Sequence, residues 1–273
     1  MKTLKDHTLL YDNACPLCVS YTKGFIKTGM LAKNGRIPYH ELADLNSNTL
    51  DKTRALNEIA LVDTKNDKVY YGMDSLLRVI GNSFPLIEKI ARLKLLYIFF
   101  KKLYSFVSYN RKVIISNPVP YESEKSCEPT FNYTYRLIYI GIALFFSVLI
   151  LLNFFNVFTL DGYLSLVVTM LLPIPFQLLF LKNYDLRKKL NYTGHLITVQ
   201  LIGALLLLPF LLLYNFGLIP VVSLMLIWLT VLLFMFYNHR LRVQNLVLPT
   251  GLSNSWLLYL IIPFVLIIKN LFL

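Results

Sequence analysis

The chain has 273 residues, 56% of them hydrophobic and only 15% charged, against about 25% charged in an ordinary soluble domain. Its formal charge is +12. With no nucleic-acid-binding motif and no interleaved aromatic and basic pattern, that excess points to anionic lipid and excludes nucleic acid as a partner. Three cysteines, Cys15, Cys18 and Cys127, are too few for a disulfide-stapled secreted scaffold.

The composition divides sharply. Of the 15 acidic residues all but Asp161 and Asp185 precede Tyr133, whereas the positive excess is shared by both parts. The first part reads as a soluble basic domain and the second as a membrane domain. Residues 1–8 are polar and the apolar stretch after them is too short for a signal peptide. Residues 8–11 read as a strand. Pro16 opens a helix over residues 16–30, where its missing N–H costs nothing, and Gly29 and Asn34-Gly35 punctuate its exit. Residues 36–40 predict a second strand, and the polar residues 43–56 a partly helical stretch. Residues 59–62, 64–67 and 68–71 predict a strand, a turn and a return strand. Gly72 breaks the hairpin, residues 74–80 read as a helix, and Pro85 opens a further helical region to about Tyr109. Strand, helix, strand, helix, hairpin, helix is an α/β order with parallel and antiparallel pairing.

Residues 85–112 hold seven cations against Glu88 alone, interleaved with leucines, isoleucines and phenylalanines. Such a segment either lies on a bilayer surface or packs its apolar face on the α/β domain; the sequence leaves both open. Residues 116–132, rich in proline and glutamate, form a linker. Five apolar stretches follow, at about 133–155, 163–181, 195–216, 218–237 and 256–273, against about 20 residues needed to cross a bilayer. Lys182, Arg187, Lys188, Lys189, Arg240 and Arg242 fall in alternate connections, which predicts a cytoplasmic N-terminal domain and an outer C-terminus. His195 is expected at the interface, and Pro173, Pro175, Pro209 and Pro263 as kinks. The spans lack an embedded carboxylate, which predicts an anchor, or a partner or lipid site, over an ion-coupled transporter.

The chemistry lies in the Cys-Pro-Leu-Cys run at residues 15–18. A thiolate is the nucleophile in disulfide exchange, and a helix N-terminus offers unpaired N–H groups and partial positive charge to stabilise it. Cys15 is expected as the exposed attacking thiol and Cys18, one turn on, as the buried resolving thiol. A closed zinc site would need four ligands; neither a second such pair nor ligand-spaced histidines occur, so no metal and no cofactor are expected.

The run Tyr11-Asp12-Asn13-Ala14-Cys15-Pro16-Leu17-Cys18 resembles the opening signature, Tyr-Asp-Gly-x-Cys-x-x-Cys, of the DCC family of thiol-disulfide oxidoreductases. The resemblance continues through residues 59–63, Tyr70-Tyr71-Gly72 and Tyr109-Asn110-Arg111 and covers about residues 6–115. It implies a thioredoxin-like domain, here over residues 1–115, and a disulfide-containing protein or small molecule as substrate. It also implies an acidic role for Asp12, either as proton partner of Cys18 or as a turn or cap. Two departures stand out. Asn13 replaces glycine, which a residue tolerant of left-handed backbone can do. Asn57-Glu58 precedes the third strand, where thioredoxins proper carry a cis-proline. Arg111 is either a structural contact or a membrane-facing charge, and Cys127 either a relay thiol or an incidental one. A non-enzymatic membrane protein with a binding or assembly module is the alternative reading.

Overall fold

The computed structural model describes residues 2–44, 49–116, 130–158 and 171–272. The chain forms two compact units, Met1–Tyr135 and Arg136–Leu273.

The first unit runs β1 (His7–Tyr11), α1 (Pro16–Lys27), β2 (Arg36–Pro38), a 3-10 turn (Tyr39–Asp44), α2 (Lys52–Asn57), β3 (Ala60–Asp63), β4 (Lys68–Tyr71), α3 (Met73–Ser83), α4 (Pro85–Ala91) and α5 (Lys94–Ile114). Its sheet has the order β2-β1-β3-β4. β1 pairs parallel with β2, Leu9 opposite Arg36, and antiparallel with β3, Leu9 opposite Leu61. β3 and β4 form the expected hairpin, with Leu61 opposite Tyr70. Successive side chains point to opposite faces of a strand. Leu9 and Leu61 therefore enter one core with Leu4, Leu31, Ile59 and Val79, while Leu10, Ala60 and Val62 enter another on the opposite face. With both faces covered, β1 and β3 lose the polar alternation of a half-exposed strand.

The small mixed sheet with helices is as the sequence order required, with shifts at the edges. α1 ends at Lys27, because Gly29 takes a positive φ of 74°, which glycine adopts without steric cost. β2 stops at Pro38, which lacks the N–H to continue a ladder. The single helical region expected from Pro85 is two helices, broken at Arg92 and Leu93 with no glycine or proline there. Arg92 folds back on Glu88 at 2.8 Å and Asp74 at 3.4 Å, pinning the corner.

Among its described residues the second unit is built of helices joined by short turns: α6 (Tyr133–Val157, begun in the first unit), α7 (Pro173–Phe180), α8 (Leu186–Asn215), α9 (Val221–Asn245) and α10 (Gly251–Phe272). α6, α8 and α9 are long and apolar enough to cross a membrane, with mean hydropathy 2.5, 2.5 and 2.1. Of the expected span 163–181, residues 163–170 lie outside the described residues. Pro173 opens α7, and Pro209 lies inside α8.

Three polar positions correct the reading of this half. His195 lies nine residues inside α8 and is 1% exposed, where its Nδ1 meets Arg242 Nη1 at 3.0 Å. Arg242 belongs to α9, not to the loop after it, because the helix runs on to Asn245. Arg136, a charge within the first expected span at 133–155, is buried in α6. Beside them the Tyr192 hydroxyl donates to Gln177 Oε1 at 3.0 Å. Its proton so placed, the Tyr192 oxygen receives Nε2–H of His239 at 3.0 Å. Gln177 passes the chain on to Ser255 Oγ at 3.0 Å. Such bonds tie the helices to one another through buried polar groups that would otherwise go unsatisfied. Close approach does the rest: a Cβ on Gly203 of α8 would run into the thioether of Met235 on α9. Gly203→Leu is therefore expected to destabilise the helical unit by about 1–3 kcal/mol through overpacking, read as a lower Tm of the full chain in detergent micelles.

Candidate functional site

The sequence from Asp12 to Cys18 builds a turn that delivers two thiols to the start of α1. Asp12 Oδ1 accepts from Ala14 N–H at 3.0 Å, and the Asp12 carbonyl accepts from Cys15 N–H at 3.2 Å. Asn13 is not among the residues with positive φ, so this turn does not call on the left-handed backbone that the glycine-to-asparagine change raised. Cys15 is the N-cap of α1 with extended backbone, Pro16 is the first helical residue, and Cys15 Sγ accepts from Cys18 N–H at 3.5 Å. The sulfur thus fills the place of a capping oxygen, against donors that helix geometry leaves unpaired.

Both thiols are free and buried. Cys15 is 1% exposed and Cys18 7%, so the expectation of an exposed Cys15 is not met; the turn that makes it a cap also covers it, and Ala14 beside it is buried too. The Cys15 thiol is lowered to about 7, first by the hydrogen bond from the Cys18 thiol, against the cost of burial, with help from the Cys18 N–H and the Arg111 charge. The Cys18 thiol is pushed far above the ordinary thiol range, first by that same bond and then by burial. Both effects favour the negative charge on Cys15 and the proton on Cys18.

Arg111 comes from α5, 99 residues along the chain from Asp12, and its Nη2 pairs with Asp12 Oδ2 at 3.4 Å. Both are buried. The same guanidinium donates to the carbonyls of Leu56 at 3.2 Å and Asn57 at 3.4 Å, and to Ser108 Oγ at 3.3 Å. Arg111 is therefore a structural contact of the site, which decides the alternative left open by the sequence. Asp12 spends one oxygen on the turn and one on Arg111, and among the described residues neither oxygen bonds to a thiol.

The segment before β3, without its proline, is held by α5. Tyr104 Oη accepts from Ile59 N–H at 2.9 Å, and Ser108 Oγ donates to the Asn57 carbonyl at 2.5 Å. Tyr104, Ser108 and Arg111 fall at i, i+4 and i+7, one face of a helix. That spacing was present in the sequence, but nothing there said which face met the thiols. Tyr21, the other residue that sequence reasoning missed, adjoins Cys18; burial raises its phenol well above the ordinary value. Burial likewise lifts Tyr104 to about 12, so both tyrosines stay neutral. A cavity of about 60 Å³ is lined by Asp12, Cys18, Tyr21, Ile59, Tyr104 and Arg111 among others. Cys127 lies outside the described residues. No group of three His, Cys, Asp or Glu residues able to hold a metal occurs among the described residues.

Residues 9–116 match the family model of the DCC1-like thiol-disulfide oxidoreductases, which bears out the resemblance carried by residues 11–18. No curated protein and no solved structure matches the chain.

Removing one partner of a buried ion pair strands the other charge, at a cost of about 3–5 kcal/mol. Arg111→Ala is expected to lose that much stability in denaturant titration. It should also raise the Cys15 titration midpoint, since the Arg111 charge lowers it. Arg111→Gln combined with Asp12→Asn should recover part of the stability.

Proposed function

Taking residues 9–116 as a DCC1-like thiol-disulfide oxidoreductase domain, we propose that this chain is a membrane-anchored oxidoreductase in which Cys15 attacks and Cys18 resolves. The observation that carries the reading is the position of Cys15 as the cap of α1, its Sγ accepting from Cys18 N–H at 3.5 Å, which goes with a thiol lowered to about 7. In the reductive direction, the Cys15 thiolate attacks one sulfur of a substrate disulfide and expels the other as a thiolate, which takes a proton. Cys15 is then joined to the substrate and no longer carries charge. The interaction that held the Cys18 thiol up most strongly, its bond to Cys15, disappears in that step, so Cys18 gives up its proton more readily. The Cys18 thiolate attacks Cys15 Sγ, releases the second substrate thiolate and closes a Cys15–Cys18 disulfide. Two electrons pass to the substrate, and a separate dithiol donor must return them.

Asp12 and Arg111 hold the turn in this reading. Asp12 orders residues 12–15, and Arg111 supplies the positive charge that favours both thiolates. The sheet order β2-β1-β3-β4 with one parallel pair supports a thioredoxin-like domain over residues 1–115. Residues 116–132 act as its linker and residues 133–273 as a five-span anchor at 133–155, 163–181, 195–216, 218–237 and 256–273. The cluster of Lys182, Arg187, Lys188 and Lys189 between the second and third expected spans supports a cytoplasmic dithiol and an outer C-terminus. A reducing cytoplasm keeps that dithiol reduced, which favours reduction of a disulfide-containing protein or small molecule.

The rate of iodoacetamide alkylation follows the thiolate fraction. It should rise with a midpoint near 7 for Cys15, in membranes holding the full chain with Cys127→Ser. A midpoint at the ordinary thiol value of about 8.5 would favour a binding or assembly module over an enzyme. Disulfide turnover should vanish in Cys15→Ser, and Cys18→Ser should accumulate a mixed disulfide on Cys15. A membrane-impermeant maleimide added to intact cells should leave Cys15 unlabelled until the cells are opened.

A further inference from the structure

We propose that the corner formed by α4 and the first half of α5 is an in-plane membrane element, seated on the surface of an anionic bilayer. The two faces of α5 carry the case. Residues at 100° per position place Tyr97, Tyr104, Ser108 and Arg111 on one side. That side faces the domain: Tyr97 bonds Asp74 at 2.9 Å, Tyr104 bonds Ile59, and Ser108 and Arg111 close on residues 56–57. The apolar side lies opposite. Leu95 is 83% exposed, and Phe99 and Leu103 follow it at i+4 and i+8, both exposed. α4 continues the patch with Leu86, 69% exposed, and Ile90, and Leu93 joins the two at the corner. A solvated helix does the reverse, burying its apolar stripe on the domain. A contiguous patch of large apolar side chains on a folded surface marks an interaction site.

Charge names the occupant. Lys89, Lys94, Lys101 and Lys102 surround the patch, exposed and without a carboxylate partner among the described residues. Glu88, the acid of these helices, is already held by Arg92 at 2.8 Å. A large apolar surface rimmed by free lysines fits acyl chains below and anionic headgroups around. The lysine stems can run along the apolar surface and lift their ammonium groups to the phosphates. The bilayer is also at hand, since α6, beginning at Tyr133, is long and apolar enough to cross one. This surface is independent of the dithiol chemistry.

The test uses the full chain in proteoliposomes, in a Cys15→Ser, Cys18→Ser, Cys127→Ser background. A nitrobenzoxadiazole fluorophore is placed by Leu95→Cys, Phe99→Cys or Asn66→Cys, the last at the exposed turn between β3 and β4. Lipids carrying a doxyl group on the acyl chain should quench the fluorophore at residues 95 and 99 and leave it bright at 66. Replacing the four lysines by glutamine should lower the quenching in vesicles containing phosphatidylglycerol, and have little effect in phosphatidylcholine alone. Equal quenching at all three positions would overturn the proposal. So would cross-linking of Leu95→Cys between two copies in place of quenching, which would assign the face to a second chain.

Discussion

A buried guanidinium organises the first unit. Arg111 reaches across 99 residues to Asp12 and at the same time donates to the carbonyls of Leu56 and Asn57. Taking such a charge out of water is costly, and the cost is met only where an opposite charge and further hydrogen bonds surround it. The consequence is geometric. The turn before α1, the end of α2 and the length of α5 are fixed to one another through a single side chain, and the cavity beside Cys18 forms among them. Nothing in the sheet alone would hold α5 in that position.

The dithiol takes its asymmetry from the start of α1 and not from this frame. Both sulfurs are buried, and burial by itself raises a thiol. Cys15 escapes that effect because it caps a helix and accepts a hydrogen bond from the Cys18 thiol, while donating that bond and burial together hold the proton on Cys18. Arg111 acts on both in the same direction and so sets the general level without creating the difference between them. The site therefore separates two functions: local helix geometry selects which sulfur holds the charge, and the distant cation makes holding it in a buried place tolerable.

The helical unit follows a related rule by other means. Tyr192, His239, Gln177 and Ser255 satisfy one another's hydrogen bonds between helices, and Gly203 lets α8 and α9 approach. His195 and Arg242 join this interior and do not sit at its edge. Hydropathy windows find helices by their mean and carry no information on which polar residue turns inward; charge counting likewise assigns Arg242 to a loop because it cannot see that α9 continues.

What the sequence determined by itself is what depends on neighbours in the chain. The strand–Cys–Pro–helix turn, the hairpin at residues 59–71 and the division into a charged first part and an apolar second part all rest on residue type at short spacing. So do the candidate spans, of which three, among the described residues, are helices long and apolar enough to cross a membrane. What only the tertiary structure decided involves groups far apart. It set the partner of Arg111, the sealing of residues 56–59 by Tyr104 and Ser108, the burial of Cys15, and the outward turn of the apolar side of α5. The reason is physical: periodicity shows that a helix has two faces, but which face meets the domain depends on the charge, the hydrogen bonds and the space that the rest of the fold presents to it.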